Sequence, residues 1–172
     1  MQRLFFVPVH SKMLDLLTQE LKTPPRCIID VGCGTGRLLR AASVLWPEAQ
    51  LFGVDPAKEM VSEAQKLDAN ATFKLALAES LPFPDQTADM VLSSLSFHHW
   101  ADQAKGLQEI ARVLRPGGLF CLADHRLLLA KLFGKKVKSR NQIRALLTGA
   151  GLAVRRQQKL GMRFVLITLA QK

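Results

Sequence analysis

Residues 27–36 read CIIDVGCGTG, and this stretch limits the possible folds more than any other. Its first half, Cys27–Val31, is an almost wholly apolar run that suits a central parallel strand covered on both faces. Glycines at 32, 34 and 36 then let the backbone turn sharply and let a ligand approach where a Cβ would clash. The spacing is G-x-G-x-G. A dinucleotide fingerprint, G-x-G-x-x-G, needs glycine at position 37, where Arg37 stands, and this disfavours NAD and FAD. Asp55 closes the next strand-like run, and an acid there can accept hydrogen bonds from both hydroxyls of a ribose. The same Asp55 can also cap the helix that starts near Ala57.

Strand and helix patterns alternate around this turn. The spacing predicts a helix over His10–Lys22, with Met13, Leu14, Leu17 and Leu21 on one face, stopped by Pro24 and Pro25. Further helices are expected at Thr35–Leu45, Ala57–Leu67, Asp102–Leu114 and Asn141–Gly149. Strands are expected at Leu51–Val54, Thr72–Ala76, Asp89–Leu95 and Leu119–Ala123, the last preceded by an Arg115-Pro116-Gly117-Gly118 turn. Two more strand-like runs lie near Leu152–Gln158 and Arg163–Ala170. This alternation predicts an α/β sheet with helices on both faces and a ligand at the carboxyl ends of its strands. With 172 residues and no linker or repeat, one domain over 1–172 is expected, carrying a basic insertion at 126–140.

Charge is distributed unevenly. Residues 1–114 hold 11 Lys+Arg against 13 Asp+Glu, whereas residues 115–172 hold 13 Lys+Arg and one acid, Asp124. The basic third is either a solvated face or a contact surface for an anionic partner, nucleic acid or acidic lipid. Within 126–140, six cations are interleaved with Leu127, Leu128, Leu129, Leu132 and Phe133, a pattern of a segment that lies on an acidic membrane or closes over a substrate. The leucines can equally pack on the sheet edge. Three cysteines, an odd number, speak against a disulfide scaffold. The start of the chain lacks a signal-peptide pattern, and the longest apolar stretch, 127–133, is too short to span a bilayer. A cytoplasmic protein without an integral membrane segment is the expectation.

The segments IIDVGCGTG (28–36), FGVDPAKEM (52–60), AESLPFPDQTADMVLSSLSFHH (78–99) and EIARVLRPGGLF (109–120) resemble, in order, the class I S-adenosylmethionine-dependent methyltransferases. The likeness points in particular to the ubiquinone/menaquinone-type group acting on small molecules. It implies a doubly wound, Rossmann-like sheet of order 3-2-1-4-5-7-6 with the last strand antiparallel. It also implies a cofactor site. The methionine part lies against Asp30, Gly32, Cys33, Gly34 and Gly36, the ribose is held by Asp55 beside Pro56, and Met60 packs on the adenine unless it belongs to the core. Ser94 at the end of the fourth strand completes the set. Members of the family usually have an Asp-Ala pair whose Asp meets the adenine amine, whereas this chain has Leu77-Ala78. The amine is left with backbone contact at Ala78 and with the neighbouring Glu79.

The methyl group of such a cofactor is electrophilic without a metal, so positioning supplies much of the rate. A general base is needed only where the acceptor must lose a proton. Candidates at the strand ends are His98 and His99, Asp124 and His125. No third ligand at a usual spacing makes His98-His99 a metal site. Ser94-Leu95-Ser96-Phe97-His98 stands where enzymes of this fold that methylate base amino groups carry an Asn/Asp-Pro-Pro-aromatic run. The expectation is therefore a methyltransferase with a small-molecule acceptor. Two other readings stay open: a non-catalytic cofactor- or partner-binding module of the same fold, and an enzyme acting on RNA or protein.

Overall fold

A computed structural model describes residues 2–125, 137–160 and 165–172, with side chains from Pro8 onward. One sheet is built from β1 Cys27–Val31, β2 Gln50–Asp55, β3 Ala71–Leu75, β4 Ala88–Ser94, β5 Leu114–His125, β6 Ala153–Leu160 and β7 Val165–Gln171. The order is β3-β2-β1-β4-β5-β7-β6, as the family resemblance implies. Strands β1 to β5 pair in parallel, and β7 runs antiparallel to both β5 and β6. The helices among the described residues are α1 Gln2–Glu20, α2 Arg37–Leu45, α3 Lys58–Leu67, α4 Gln103–Val113 and α5 Arg140–Gly149.

Successive strand residues point to opposite faces, so Ile28 and Ile29 belong to different layers. On one side Met13, Leu16 and Leu17 of α1, Leu38 and Leu39 of α2 and Val61 of α3 pack with Ile28, Leu51, Met90 and Cys121. On the other, Leu107 and Ile110 of α4 and Ile143 and Leu147 of α5 pack with Ile29, Val31, Val91 and Phe120. Each large side chain taken fully from water contributes about 1.5–3 kcal/mol. No helix joins β3 to β4. Residues 76–87 cover the second face instead, burying Ala78, Leu81 and Phe83. Arg112 of α4 holds them, donating to Leu81 O (3.1 Å), Phe83 O (2.8 Å) and Asp85 Oδ1 (2.8 Å).

Most element ends fall within two residues of the expected ones, but three features differ. Helix α1 starts at Gln2 rather than His10 and runs through Pro8, which removes one backbone bond near its start and leaves the later turns intact. Strand β5 begins at Leu114, not Leu119. Leu114 pairs with Ala88 and Leu119 with Met90, so the predicted Arg115–Gly118 turn is a bulge inside the strand, with Gly117 at φ 81°. A short 3-10 turn, Phe97–His99, follows β4 where the sequence gives no periodic signal. Most of the basic insertion, residues 126–136, lies outside the described residues.

Candidate functional site

β1, β2 and β4 end side by side, and the chain leaves each end in a way the sequence dictates locally. After β1, the N–H groups of Gly32 and Cys33 both donate to Val54 O (2.8 and 3.0 Å), tying the glycine turn to β2. Gly32, Gly34 and Gly36 all have left-handed backbones, with φ of 74°, 52° and 72°. Their side-chain directions differ. A Cβ on Gly32 would lie 2.3 Å from Ser96 Cβ, and one on Gly36 would lie 2.7 Å from the Phe73 ring. Only at Gly34 is the space free within 4 Å. At Gly34 the left-handed backbone alone favours glycine and the space beside it is open, whereas at Gly32 and Gly36 a Cβ would also meet the protein itself.

Asp55, at the end of β2, accepts from Gly34 N–H through Oδ2 and from Ala57 N–H through Oδ1, both at 2.9 Å. Asp55 therefore does not cap α3, whose N-cap Ala57 has no side-chain cap bond; it closes a turn just ahead of the helix, and this fixes the carboxylate at the mouth of the glycine turn. Each oxygen keeps a further lone pair for a ligand. After β4 the backbone swings through Leu95, a non-glycine residue at φ 56° whose N–H donates to Ala123 O (2.8 Å). That turn brings Ser96 over the end of β1, where its Oγ donates to Val31 O (3.0 Å).

These ends enclose two adjoining cavities that share Gly32, Asp55, Ser96 and His99. The larger, about 550 Å³, is lined by Asp30, Cys33, Gly34, Met60 and Ser94 of the expected site. His10, Thr35, Arg37, Leu38, Leu95 and Ser96 also line it, and sequence reasoning missed them as lining residues. The smaller, about 290 Å³, is lined by Pro56, Leu77, Ala78 and Glu79 together with Trp100 and Ala101. Gly36 lines neither. Met60 is 42% exposed at the rim, so it is not core. Leu77 is 55% exposed. Glu79 is buried and braces α4, accepting from Asp102 N–H at 2.9 Å.

The electrostatics of the larger cavity are unusual. Asp30 is buried, its Oδ1 has no partner, and burial together with the nearby Asp55 pushes its carboxyl up to about 8. Ser94 Oγ is likewise buried without a partner. His10 reaches in from α1, and burial and Arg37 hold its imidazole down at about 4. Burial and the two acids also raise the Cys33 thiol, which leaves it inert. One cavity thus offers an unsatisfied acid, an unsatisfied hydroxyl and a guanidinium. The other is mostly apolar, and Asp55 stands between them.

The four catalytic candidates are brought together in part. His98 Nδ1 and Asp124 Oδ1 are 2.6 Å apart, and both side chains are buried. Asp124 Oδ1 also accepts from His125 N–H (2.9 Å). The His98 ring lies 4.0 Å from that of His99 and 5.3 Å from that of His125, centroid to centroid. His98 Nε2 is buried with no partner. Of the four, only His99 lines the cavities.

A family model described as a methyltransferase domain matches residues 29–122, more than half of the chain. The chain is 38% identical over 117 residues to the uncharacterized methyltransferase YcgJ of Bacillus subtilis, covering 65% of this chain and 45% of that one. The crystal structure of YcgJ superposes with a TM-score of 0.75 at 29% identity, over 88% of this chain and 73% of that chain. A malonyl-[acyl-carrier protein] O-methyltransferase of Xylella fastidiosa is 35% identical, covering 73% of this chain and 41% of the relative. A demethylmenaquinone methyltransferase of Chlorobaculum parvum is 37% identical, covering 53% and 37%. The chain thus spans less than half the length of these curated relatives. Their differing names make the likeness one to the family, not to the ubiquinone/menaquinone group in particular. The chain belongs to the methyltransferase domain family, within the class I S-adenosylmethionine-dependent methyltransferases.

Proposed function

We propose that this protein binds S-adenosylmethionine across the two cavities and transfers its methyl group to a small-molecule acceptor. The observation that carries the reading is the pair of buried, unpartnered atoms, Asp30 Oδ1 and Ser94 Oγ, on the wall of a cavity into which Gly34 opens. Buried polar atoms rarely go without a partner. An amino-acid zwitterion supplies one here: its ammonium meets Asp30 and Ser94, and its carboxylate meets Arg37. The ribose hydroxyls fall to Asp55 at the junction, and the base to the apolar pocket of Pro56, Leu77, Ala78 and Trp100.

When bound, the cofactor's sulfonium supplies an electrophilic methyl group. The chain's own part is to orient it, to exclude water and, where the acceptor carries a proton, to take that proton. Of the four candidates His99, which lines both cavities, is placed for the last role. The buried His98–Asp124 pair stands behind it, the His98 ring 4.0 Å from that of His99. The chain lacks the Asn/Asp-Pro-Pro-aromatic run after β4, which speaks against methylation of base amino groups, and one relative is named for a quinone. Both points support a small acceptor, whereas the relative named for malonyl-[acyl-carrier protein] takes an acyl group held on a protein. One observation favours a second reading, a methyltransferase acting on RNA: the last third of the chain is strongly basic.

Calorimetry with S-adenosylmethionine and its demethylated product tests the cofactor assignment. Asp55→Ala should weaken both by at least about 30-fold, since charge-assisted bonds to two hydroxyls are lost. Equal affinity in a folded variant refutes the site. A screen of acceptors with wild type and His99→Gln tests the base: the variant should lose transfer by far more than it loses cofactor affinity. Full transfer by His99→Gln refutes that role.

A further inference from the structure

Asp124 is the one carboxylate side chain in residues 115–172, and it is buried against His98. The surface built by the last third of the chain therefore presents cations with no acidic side chain of its own. In the described part these include Arg144 on α5 and Arg155, Arg156 and Lys159 on the edge strand β6, all exposed. No ion pair neutralises any of them among the described residues. Where a guanidinium is held, a neutral amide holds it. Arg155 donates to Gln171 Oε1, and Arg140, at the start of α5, donates to Gln157 Oε1 (3.0 Å). Such bonds orient the cations and leave their charge intact.

Register places this edge level with the carboxyl end of β5. Asp124 pairs with Leu166, and Leu166 with Lys159, so Lys159 stands level with the His98–Asp124 pair, two strands away. At the usual strand spacing that is about 10 Å.

Three kinds of anionic partner could meet such a face, and its composition separates them. A protein interface needs an apolar or aromatic centre, and a membrane-surface helix needs an apolar face to insert. The large exposed apolar residues of the described chain lie between positions 44 and 77, not on this edge. A polyphosphate backbone needs neither, because neutralising phosphates releases counterions and gives affinity by charge alone. Four of the cations named are arginines, whose planar fork matches a phosphate. From this we infer that the β6–α5 edge is a docking surface for the phosphodiester backbone of a nucleic acid, level with the His98–Asp124 pair.

The test is fluorescence anisotropy of a labelled single-stranded RNA of about 20 nucleotides, from about 50 to 200 mM salt. Wild type should bind at low salt, with log K falling linearly against log salt. A variant carrying Arg144→Gln, Arg155→Gln, Arg156→Gln and Lys159→Gln should lose at least about tenfold in affinity. Its salt slope should shrink by up to about 3, at about 0.7 per phosphate contact. Replacing the three arginines by lysine should keep most of the slope, which separates charge from fold. Lys12→Gln with Lys58→Gln and Lys66→Gln, on other surfaces, should change nothing. The inference fails if wild type does not bind RNA at low salt, if the four-fold variant binds as tightly, or if anionic lipid vesicles are bound and RNA is not. Binding of the demethylated cofactor by the four-fold variant should match wild type, so the result stands apart from the reading of the cleft.

Discussion

Burial and the neighbouring Asp55 raise the Asp30 carboxyl from its ordinary 3.8 to about 8. Between those values the folded protein holds a proton that the unfolded chain has released, so stability falls as pH rises through the window. Asp30→Asn should flatten that slope and be the more stable protein near pH 8, which urea titrations at several pH values would show. An unchanged slope would mean that Asp30 ionises normally. A cationic ligand beside Asp30 reverses the preference, so wild type should release close to one proton on binding the cofactor at pH 7, and the Asn variant much less. Calorimetry in two buffers of different ionisation enthalpy reads that number directly. Leu77 provides a second residue-scale test. It stands where the family usually has an acid, and at 55% exposure a carboxylate there would stay solvated. Leu77→Asp should therefore leave the melting temperature unchanged and tighten cofactor binding by about fivefold to tenfold, the worth of one net hydrogen bond. Weaker binding in the folded variant would mean that the base avoids this pocket.

Among the elements, the segment 76–87 does the work that a helix would otherwise do on the second face. It carries Leu77, Ala78 and Glu79 into the smaller cavity, and two side chains from α4 hold it, Arg112 and Glu109, whose Oε2 accepts from Leu81 N–H at 2.8 Å. Arg112 satisfies the carbonyls of Leu81 and Phe83 and pairs with Glu109 and Asp85. Arg112→Ala leaves Phe83 O without its guanidinium donor and Leu81 O with Phe83 N–H alone, and should cost about 2–3 kcal/mol in a urea titration, with a parallel loss of cofactor affinity. Arg112→Lys should recover only part, since an ammonium cannot reproduce the fork. Full stability in the Ala variant would show that the apolar contacts and the remaining bonds, such as Leu81 N–H to Glu109, hold the segment without the guanidinium. Much of this level is legible in the sequence, because apolar runs and glycine spacing are local signals: β1, the turn after it and Asp55 need no tertiary information. The Phe97–His99 turn does need it. Leu95 enters a left-handed conformation, and Ser96 fits only because Gly32 opposite lacks a Cβ. His10 and Arg37 escape for a related reason. Arg37 is visible as the residue that breaks the dinucleotide fingerprint, but its place in the cavity depends on how α1 and α2 lie over the strand ends.

Across the whole molecule, the last strand in sequence is not last in space. β7 lies between β5 and β6 and pairs with both, so the sheet closes only when residues 165–171 arrive. The family resemblance implies this order, and the strands themselves fit it: VLITLA is buried on both faces, whereas AVRRQQKL is polar and largely open to solvent. The charge asymmetry was legible too. That its cations would include an edge strand level with Asp124 was not, because register is a property of pairing and not of order. Val165, Leu166, Ile167 and Leu169 are each at most 2% exposed. At about 1.5–3 kcal/mol for each side chain, their burial is comparable with the whole stability of a typical domain, about 5–15 kcal/mol. Removal of β7 also strips the pairing partner from β5 and β6 together and uncovers part of both apolar layers. A chain ending at Leu160 should therefore show no cooperative thermal transition by circular dichroism, even though it keeps every residue of the proposed cofactor site. A cooperative melt with near-native ellipticity would overturn this, since it would require β5 and β6 to stand without the strand between them.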